Sequence, residues 1–122
     1  MAKIMVVDDE EKNRELLSDF LESKGYDVIS AFGGKDALAK MNEEPDLVLL
    51  DIMMPDMHGM NVLDEMKNMA PDVEIIMVTA LSEHVVGLES LKRGAYEFIS
   101  KPINLRHLES VVSFTLAQKG IA

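Results

Sequence analysis

Hydrophobic positions along the chain form two kinds of pattern, and the two kinds alternate. Short apolar runs typical of buried strands occupy five stretches: Lys3–Val7, Asp27–Ala31, and residues 46–50, 73–78 and 96–100. Stretches with apolar residues at helical spacing follow each run, at residues 11–24, residues 34–43, Gly59–Met69, residues 83–93 and a last segment after Asn104. The pattern therefore predicts five β-α units in succession.

The boundaries of the predicted helices carry residues that start and stop helices. Gly25 and Gly94 stand where a helix should end, a place that favours glycine, and Pro45 closes the second helix. Asn104 is placed to cap the last helix. The inward faces should carry Leu16, Leu17, Phe20 and Leu21 in the first helix and Leu105, Leu108, Val112 and Leu116 in the last.

Regular β-α alternation with short connections predicts an α/β fold, in which helices cover both faces of a parallel sheet. Residues 47–50 are apolar without interruption, as expected for a central strand that is buried on both sides. Five units are too few for an eight-fold barrel. What remains is a (βα)5 doubly wound, five-stranded parallel sheet, and we expect residues 1–122 to form one domain.

The composition excludes several classes of protein. The chain has no cysteine, which rules out disulfide scaffolds, thiolate metal sites and cysteine nucleophiles. No apolar run approaches the ~18 residues of a membrane-spanning helix. The acidic N-terminal segment does not resemble a signal peptide, so we expect a cytoplasmic protein that makes no contact with a membrane.

Charge is acidic overall and unevenly distributed. The net charge is −10, with 22 acidic and 12 basic residues, so the chain should repel nucleic acid and not bind it directly. Residues 1–81 carry 18 acidic and 7 basic residues, a net charge of −11, whereas residues 82–122 carry 4 and 5, a net charge of +1. The first part is therefore suited to cations, and the last part to contact with another protein.

Chemically reactive residues follow the ends of the predicted strands: Asp8 and Asp9 after the first, Asp51 after the third, Thr79 after the fourth and Lys101 after the fifth. Ligands of open parallel sheets bind at the carboxyl ends of the strands, so these side chains should meet in one pocket. Three carboxylates and one ammonium sum to −2, which a hard divalent ion such as Mg²⁺ would neutralise. A carboxylate nucleophile, a hydroxyl and an ammonium are then the groups that phosphoryl transfer needs.

Four motifs in the chain, MVVDDE, LVLLDIMMPDMHG, VTA and FISKP, resemble those of the receiver domain of two-component response regulators. Their order and spacing match over essentially the whole chain. The resemblance implies the flavodoxin-like strand order 2-1-3-4-5. It also implies a signalling switch that catalyses only its own phosphorylation and dephosphorylation.

The resemblance assigns the acceptor and the metal ligands. Asp51 would accept a phosphoryl group from the phosphohistidine of a sensor histidine kinase or phosphotransfer protein. Mg²⁺, for which Mn²⁺ could substitute, would be held by Asp9, Asp51 and the backbone carbonyl of Met53, with Asp8 acting through water.

The resemblance also assigns the groups around the phosphoryl oxygens. Lys101 would contact Asp51 and then a phosphoryl oxygen, while the Thr79 hydroxyl and the Ala80 backbone N–H donate to others. The peptide bond before Pro102 would be cis, which in the family fixes the position of the lysine.

Switching is implied to run from Thr79 to an aromatic residue three positions before the lysine. Here that residue is Phe98, where the family more often has Tyr, and Phe98 as a plain core residue is an equal alternative. The output surface would be the fourth helix, fifth strand and fifth helix, within residues 82–119. There the chain would form a homodimer or bind an output partner.

Three other functions stay open at this point. A Mg²⁺-dependent phosphohydrolase with an Asp nucleophile usually has Asp-x-Asp after the first strand, whereas Asp8 and Asp9 are adjacent. A flavodoxin-type electron carrier would need a phosphate-binding loop where this chain has acidic residues. A receiver that acts as a binding module without being phosphorylated is the third alternative.

Histidines and methionines complete the candidates. His58, His84 and His107 lack metal-ligand spacing and are expected to be surface or loop residues. Six methionines lie between residues 53 and 69 and favour gap-filling in the core over an adaptable docking surface. Met53 and Leu81 occupy the positions that tune phosphoaspartate hydrolysis in receivers. Both are apolar, which predicts a long-lived phosphorylated state.

Overall fold

The computed structural model describes residues 2–121. Five strands form one sheet: β1 (Lys3–Val7), β2 (Asp27–Ala31), β3 (Leu47–Asp51), β4 (Glu74–Thr79) and β5 (Glu97–Ser100). Five helices alternate with them: α1 (Glu11–Ser23), α2 (Gly34–Ala39), α3 (Gly59–Met69), α4 (His84–Lys92) and α5 (Leu105–Gln118). All neighbouring strands are parallel and lie in the order β2-β1-β3-β4-β5. The predicted α/β fold class and its 2-1-3-4-5 order are confirmed.

Two hydrophobic cores cover the two faces of the sheet, because successive residues of a strand point to opposite sides. In β1, Met5 and Val7 face the core formed with α2 and α3, whereas Ile4 and Val6 face the core formed with α1 and α5. Every residue of β3 is buried, which confirms the central strand predicted from its uninterrupted apolar sequence.

Helix ends follow the predicted signals. Gly25 and Gly94 adopt positive φ angles of 93° and 104°, the left-handed conformation that glycine reaches without a steric penalty. The Asn104 side chain accepts a hydrogen bond of 3.0 Å from the His107 backbone N–H and so caps α5.

Two details differ from the sequence prediction. Leu16 was expected to face inward but is 55% exposed, because the buried stripe of α1 runs through Leu17 and Leu21, four residues apart. The second helix is shorter than predicted, since a 3₁₀ turn occupies Lys40–Glu43, whereas the 3₁₀ turn at Leu81–Glu83 precedes α4, which agrees with its prediction within one residue at each end. None of the helices within residues 2–121 is long and apolar enough to cross a lipid bilayer.

Candidate functional site

The predicted site residues lie at the carboxyl edge of the sheet. Asp8 follows β1, Asp51 ends β3, Thr79 ends β4 and Lys101 follows β5. The parallel register aligns these ends, because Asp51 lies opposite Val78 and Thr79 opposite Ser100 in neighbouring strands.

Three carboxylates converge at this edge. One oxygen each from Asp8, Asp9 and Asp51 lies within 4.8 Å of the other two. Asp8 and Asp51 are only 4% and 5% exposed, whereas Asp9 is exposed to solvent. Carboxylate oxygens are the ligands that Mg²⁺ prefers, and an exposed side leaves room for the waters that it retains. The donor set therefore fits a hard divalent cation.

Lys101 supplies the positive charge of the cluster. Its Nζ atom lies 3.2 Å from Asp51 Oδ2 and 4.0 Å from Asp8 Oδ2. Its backbone N–H donates to the Thr79 carbonyl at 2.8 Å, and its peptide bond to Pro102 is cis. The ammonium therefore reaches two of the three carboxylates from an anchored backbone.

Burial and charge perturb the acid-base behaviour of this pair. Burial raises the pKa of Asp51, and the Asp8 charge adds to the increase, although Lys101 and the Met53 backbone N–H oppose it. Burial acts to lower the pKa of Lys101, but its attraction to Asp51 and Asp8 outweighs burial, so the Lys101 pKa is raised. Ionisation of Asp51 at this site therefore lowers the free energy of unfolding.

Replacing Asp51 by Asn should raise the melting temperature of the metal-free protein at pH 7 by a few degrees. A carboxyl whose pKa is higher in the folded than in the unfolded chain destabilises the fold when it is ionised. The destabilisation by ionised Asp51 is fully present above the raised pKa that Asp51 has in the folded chain, and it declines as the pH falls through that pKa. Thermal unfolding in EDTA measures the shift, and an Asp51→Asn protein that melts at or below the wild-type temperature at pH 7 would contradict it.

Thr79 and Ala80 already have hydrogen-bond partners within the protein. The buried Thr79 hydroxyl donates to the Ala80 carbonyl at 2.9 Å, and the Ala80 backbone N–H donates to Glu83 Oε1 at 3.4 Å. Thr79 ends β4 at the edge of the sheet where Asp51 ends β3, but each predicted phosphoryl donor is bonded to another group and not to Asp51. Their roles toward a phosphoryl group stay a prediction.

Phe98 packs against α4. Its ring meets the His84 ring edge-on at 5.7 Å, and a Cβ at Gly87 would come within 2.9 Å of Phe98 Cδ2. His84 Nε2 and Ser100 Oγ are 2.7 Å apart, within hydrogen-bond distance. His84 is half-buried and connects α4 to β5, a contact that the expectation of a surface or loop histidine did not include.

The other two histidines and Met53 lie at the surface. His58 and His107 are exposed, and His58 Nδ1 accepts the Met60 backbone N–H at 3.1 Å to cap α3. The Met53 side chain is exposed beside Asp51. The Leu81 side chain, which entered the prediction of a long-lived phosphorylated state, is outside the part of the structure that is described.

Two contacts of the site were not found by sequence reasoning. Arg14 Nη1 donates to the Asp8 backbone carbonyl at 2.8 Å, across the turn between β1 and α1. Both carboxylate oxygens of Asp56 accept backbone N–H groups at the start of α2. Neither contact follows from a strand-end position, which was the signal that located the other residues.

The nearly neutral last third of the chain exposes apolar side chains. On α4, Val85 and Leu88 are exposed, and Phe114 on α5 is exposed beside a groove of about 520 Å³ that Tyr96 and Val111 also line. The predicted output surface therefore offers apolar contact area.

A protein-family model described as "Response regulator receiver domain" matches residues 4–113. The curated relatives include the transcriptional regulatory protein CpxR homolog of Haemophilus influenzae, 42% identical over 88% of this chain and 47% of its own length. The alkaline phosphatase synthesis transcriptional regulatory protein PhoP of Bacillus subtilis is 39% identical over 98% of this chain and 50% of its own length. The chain thus spans about half the length of these two relatives.

Solved structures share the whole fold. A CheY-like response regulator receiver domain protein from Methanospirillum hungatei is 34% identical with a TM-score of 0.90, over 98% of this chain and 97% of its own. A response regulator receiver domain protein from Clostridium thermocellum gives a TM-score of 0.94 at 28% identity, over 98% of both chains. Sequence and structure comparisons therefore agree on one family.

Proposed function

The chain belongs to the two-component response regulator receiver family, and from that premise we propose that it is a phosphorylation-controlled switch with Asp51 as the acceptor. The observation that carries the proposal is the pairing of the buried Asp51 carboxylate with Lys101 Nζ at 3.2 Å, beside Asp8 and Asp9. A carboxylate, an ammonium and two further acidic ligands are the parts that phosphoryl transfer to an aspartate requires.

The transfer step is a displacement at phosphorus. An Asp51 carboxylate oxygen attacks the phosphorus of a phosphohistidine on a sensor histidine kinase or phosphotransfer protein. The new O–P bond forms as the N–P bond breaks, and the histidine nitrogen leaves with its electron pair and takes up a proton. Lys101 then pairs with a phosphoryl oxygen, and the Thr79 hydroxyl and Ala80 N–H donate to others.

Asp8, Asp9, Asp51 and the Met53 carbonyl are the groups that would hold Mg²⁺, or Mn²⁺ in its place. When bound, the ion supplies positive charge that offsets the carboxylates and the incoming phosphoryl oxygens. The three clustered carboxylates of this structure support that assignment.

The phosphodonor protein needs a surface beside Asp51. A groove of about 240 Å³ lies next to the cluster, lined by Leu16 and Leu17 of α1 and by Lys101, Pro102 and Ile103. The exposed Leu16 supports docking of a partner there.

The output is proposed to pass through α4, β5 and α5. Thr79 would turn toward the phosphoryl group, and Phe98, packed on Gly87 and His84, would follow. The exposed apolar residues of α4 and α5 would then bind an output partner or a second copy of the chain.

We place residues 1–122 in a single receiver domain that acts in the cytoplasm and catalyses only its own phosphorylation and dephosphorylation. The phosphohydrolase alternative is not favoured, because the matched family and the relatives are response regulators. The partners and output of the whole protein belong to this proposal too.

Intact mass spectrometry tests the function directly. The protein is incubated with a small acyl phosphate, with Mg²⁺ or with EDTA. We expect one added phosphoryl group with Mg²⁺ and none with EDTA. After the donor is removed, the added phosphoryl group should persist for longer than seconds. No added mass with Mg²⁺ would favour a receiver that signals by binding alone.

A further inference from the structure

We propose that Asp56 is a positioning residue for the phosphorylation site, which ties the loop that carries Met53 to the start of α2. The inference rests on the proposed function, because it assigns a support to the same site. Residues 52–58 connect β3 to α3 and include both Met53 and Asp56.

The Asp56 carboxylate bonds to a distant part of the chain. Its Oδ1 accepts the Gly34 backbone N–H and its Oδ2 accepts the Lys35 backbone N–H, both at 3.0 Å and across more than 20 residues of sequence. The bond from Lys35 and, to a smaller extent, the bond from Gly34 lower the pKa of Asp56 and keep its carboxyl ionised at neutral pH. An exposed side chain is therefore held in one position by two charge-assisted hydrogen bonds.

Close packing shows that the loop sits directly on this segment. A Cβ at Gly33 would lie 2.9 Å from Asp56 Oδ1, and a Cβ at Gly34 would lie 2.7 Å from Met57 Cβ. Two successive glycines thus leave the space that the loop fills.

The loop of residues 52–58 is also fixed at its two ends by backbone hydrogen bonds. The Asp56 bonds add a third point of attachment between them. Ile52 N–H donates to the Val78 carbonyl at 3.2 Å, and Gly59 N–H donates to the Ile52 carbonyl at 2.6 Å. Met53 lies between these anchors, and the proximity of its backbone N–H acts to lower the pKa of the Asp51 carboxyl. The Asp56 bonds therefore limit the movement of the Met53 backbone against Asp51.

Asp36 provides a matched control. Its Oδ2 accepts the Phe32 backbone N–H at 3.1 Å and the Lys40 ammonium at 3.0 Å. It is a carboxylate that binds the same segment, but its bonds stay within residues 32–40. Asp36→Ala should loosen that segment without releasing the loop that carries Met53.

The experiment compares Asp56→Ala, Asp56→Asn and Asp36→Ala with the wild type. We expect Asp56→Ala to weaken Mg²⁺ binding about tenfold by calorimetry, the usual loss when a support behind a metal ligand is removed. Asp56→Asn, which keeps one acceptor oxygen, should fall between Asp56→Ala and the wild type. Asp36→Ala should bind Mg²⁺ within about twofold of the wild type.

Hydrogen exchange of the Met53 amide in metal-free protein gives a readout that needs neither metal nor phosphorylation. Asp56→Ala should speed this exchange and Asp36→Ala should not. The inference would be overturned if the Met53 amide exchanged at the same rate in Asp56→Ala and Asp36→Ala, or if these two variants bound Mg²⁺ with the same affinity. If Asp56→Ala does not fold, Asp56→Asn takes its place in both comparisons. A wild type that takes up no phosphoryl group would instead contradict the proposed function, while the exchange measurement would still decide the role of Asp56.

Discussion

Asp51→Asn is expected to abolish phosphorylation of the chain completely. The amide lacks the anionic oxygen that attacks phosphorus, and it removes the partner that Lys101 Nζ holds at 3.2 Å. Incubation with Mg²⁺ and a small acyl phosphate should therefore leave the intact mass of Asp51→Asn unchanged, while the wild type gains one phosphoryl group.

The matched control for this prediction is Asp64→Asn. Asp64 lies on α3 and pairs with Arg93, away from the carboxylate cluster, so this variant should be phosphorylated like the wild type. Because Asp51→Asn should also melt at a higher temperature than the metal-free wild type, lost phosphorylation could not be ascribed to unfolding. A full phosphoryl gain in Asp51→Asn would place the acceptor at another residue.

The architecture was predictable because it depends on patterns that are local in sequence. Short apolar runs predicted all five strands, and the strand order implied by the family motifs is the one observed. Helix ends followed Gly25, Gly94 and Asn104, whose conformations or hydrogen bonds act within a few residues. Local signals of this kind do not depend on how distant segments pack.

The carboxylate cluster was predictable for a topological reason. In a parallel sheet the carboxyl ends of all strands lie at one edge, so Asp8, Asp51 and Lys101 meet although the first two are 43 residues apart along the chain and the last two are 50 apart. The family motifs added roles to these positions. The roles themselves stay predictions until phosphorylation is measured.

The contacts that sequence reasoning missed depend on loop paths and rotamers. Asp56 reaches Gly34 and Lys35 only because the loop after β3 crosses over the start of α2. His84 reaches Ser100 because the fold brings the first residue of α4 to the last residue of β5. Neither distance is encoded in hydrophobic periodicity.

Lys101→Ala is expected to slow phosphorylation by roughly 10²- to 10³-fold, the usual effect of removing one group that stabilises developing negative charge. Lys101 is also what holds down the pKa of Asp51 against burial and the Asp8 charge. Without it the Asp51 pKa rises further, so a higher pH is needed to ionise the nucleophile. As the pH is lowered, the phosphorylation rate of Lys101→Ala should therefore begin to decline at a higher pH than the rate of the wild type. Intact mass measured over time at each pH gives both rates.

Lys40→Ala separates this effect from the general loss of a lysine–aspartate pair. Lys40 Nζ lies 3.0 Å from Asp36 Oδ2, and its side chain is 35% exposed, close to the 31% of Lys101. The two substitutions thus remove similarly exposed lysines, each from a pair with an aspartate. Lys40→Ala should keep the wild-type rate and pH profile, because Asp36 is not in the cluster. A Lys101→Ala protein with an unshifted pH profile would show that Lys101 does not control the ionisation of Asp51, and an undiminished rate would remove it from the transfer step.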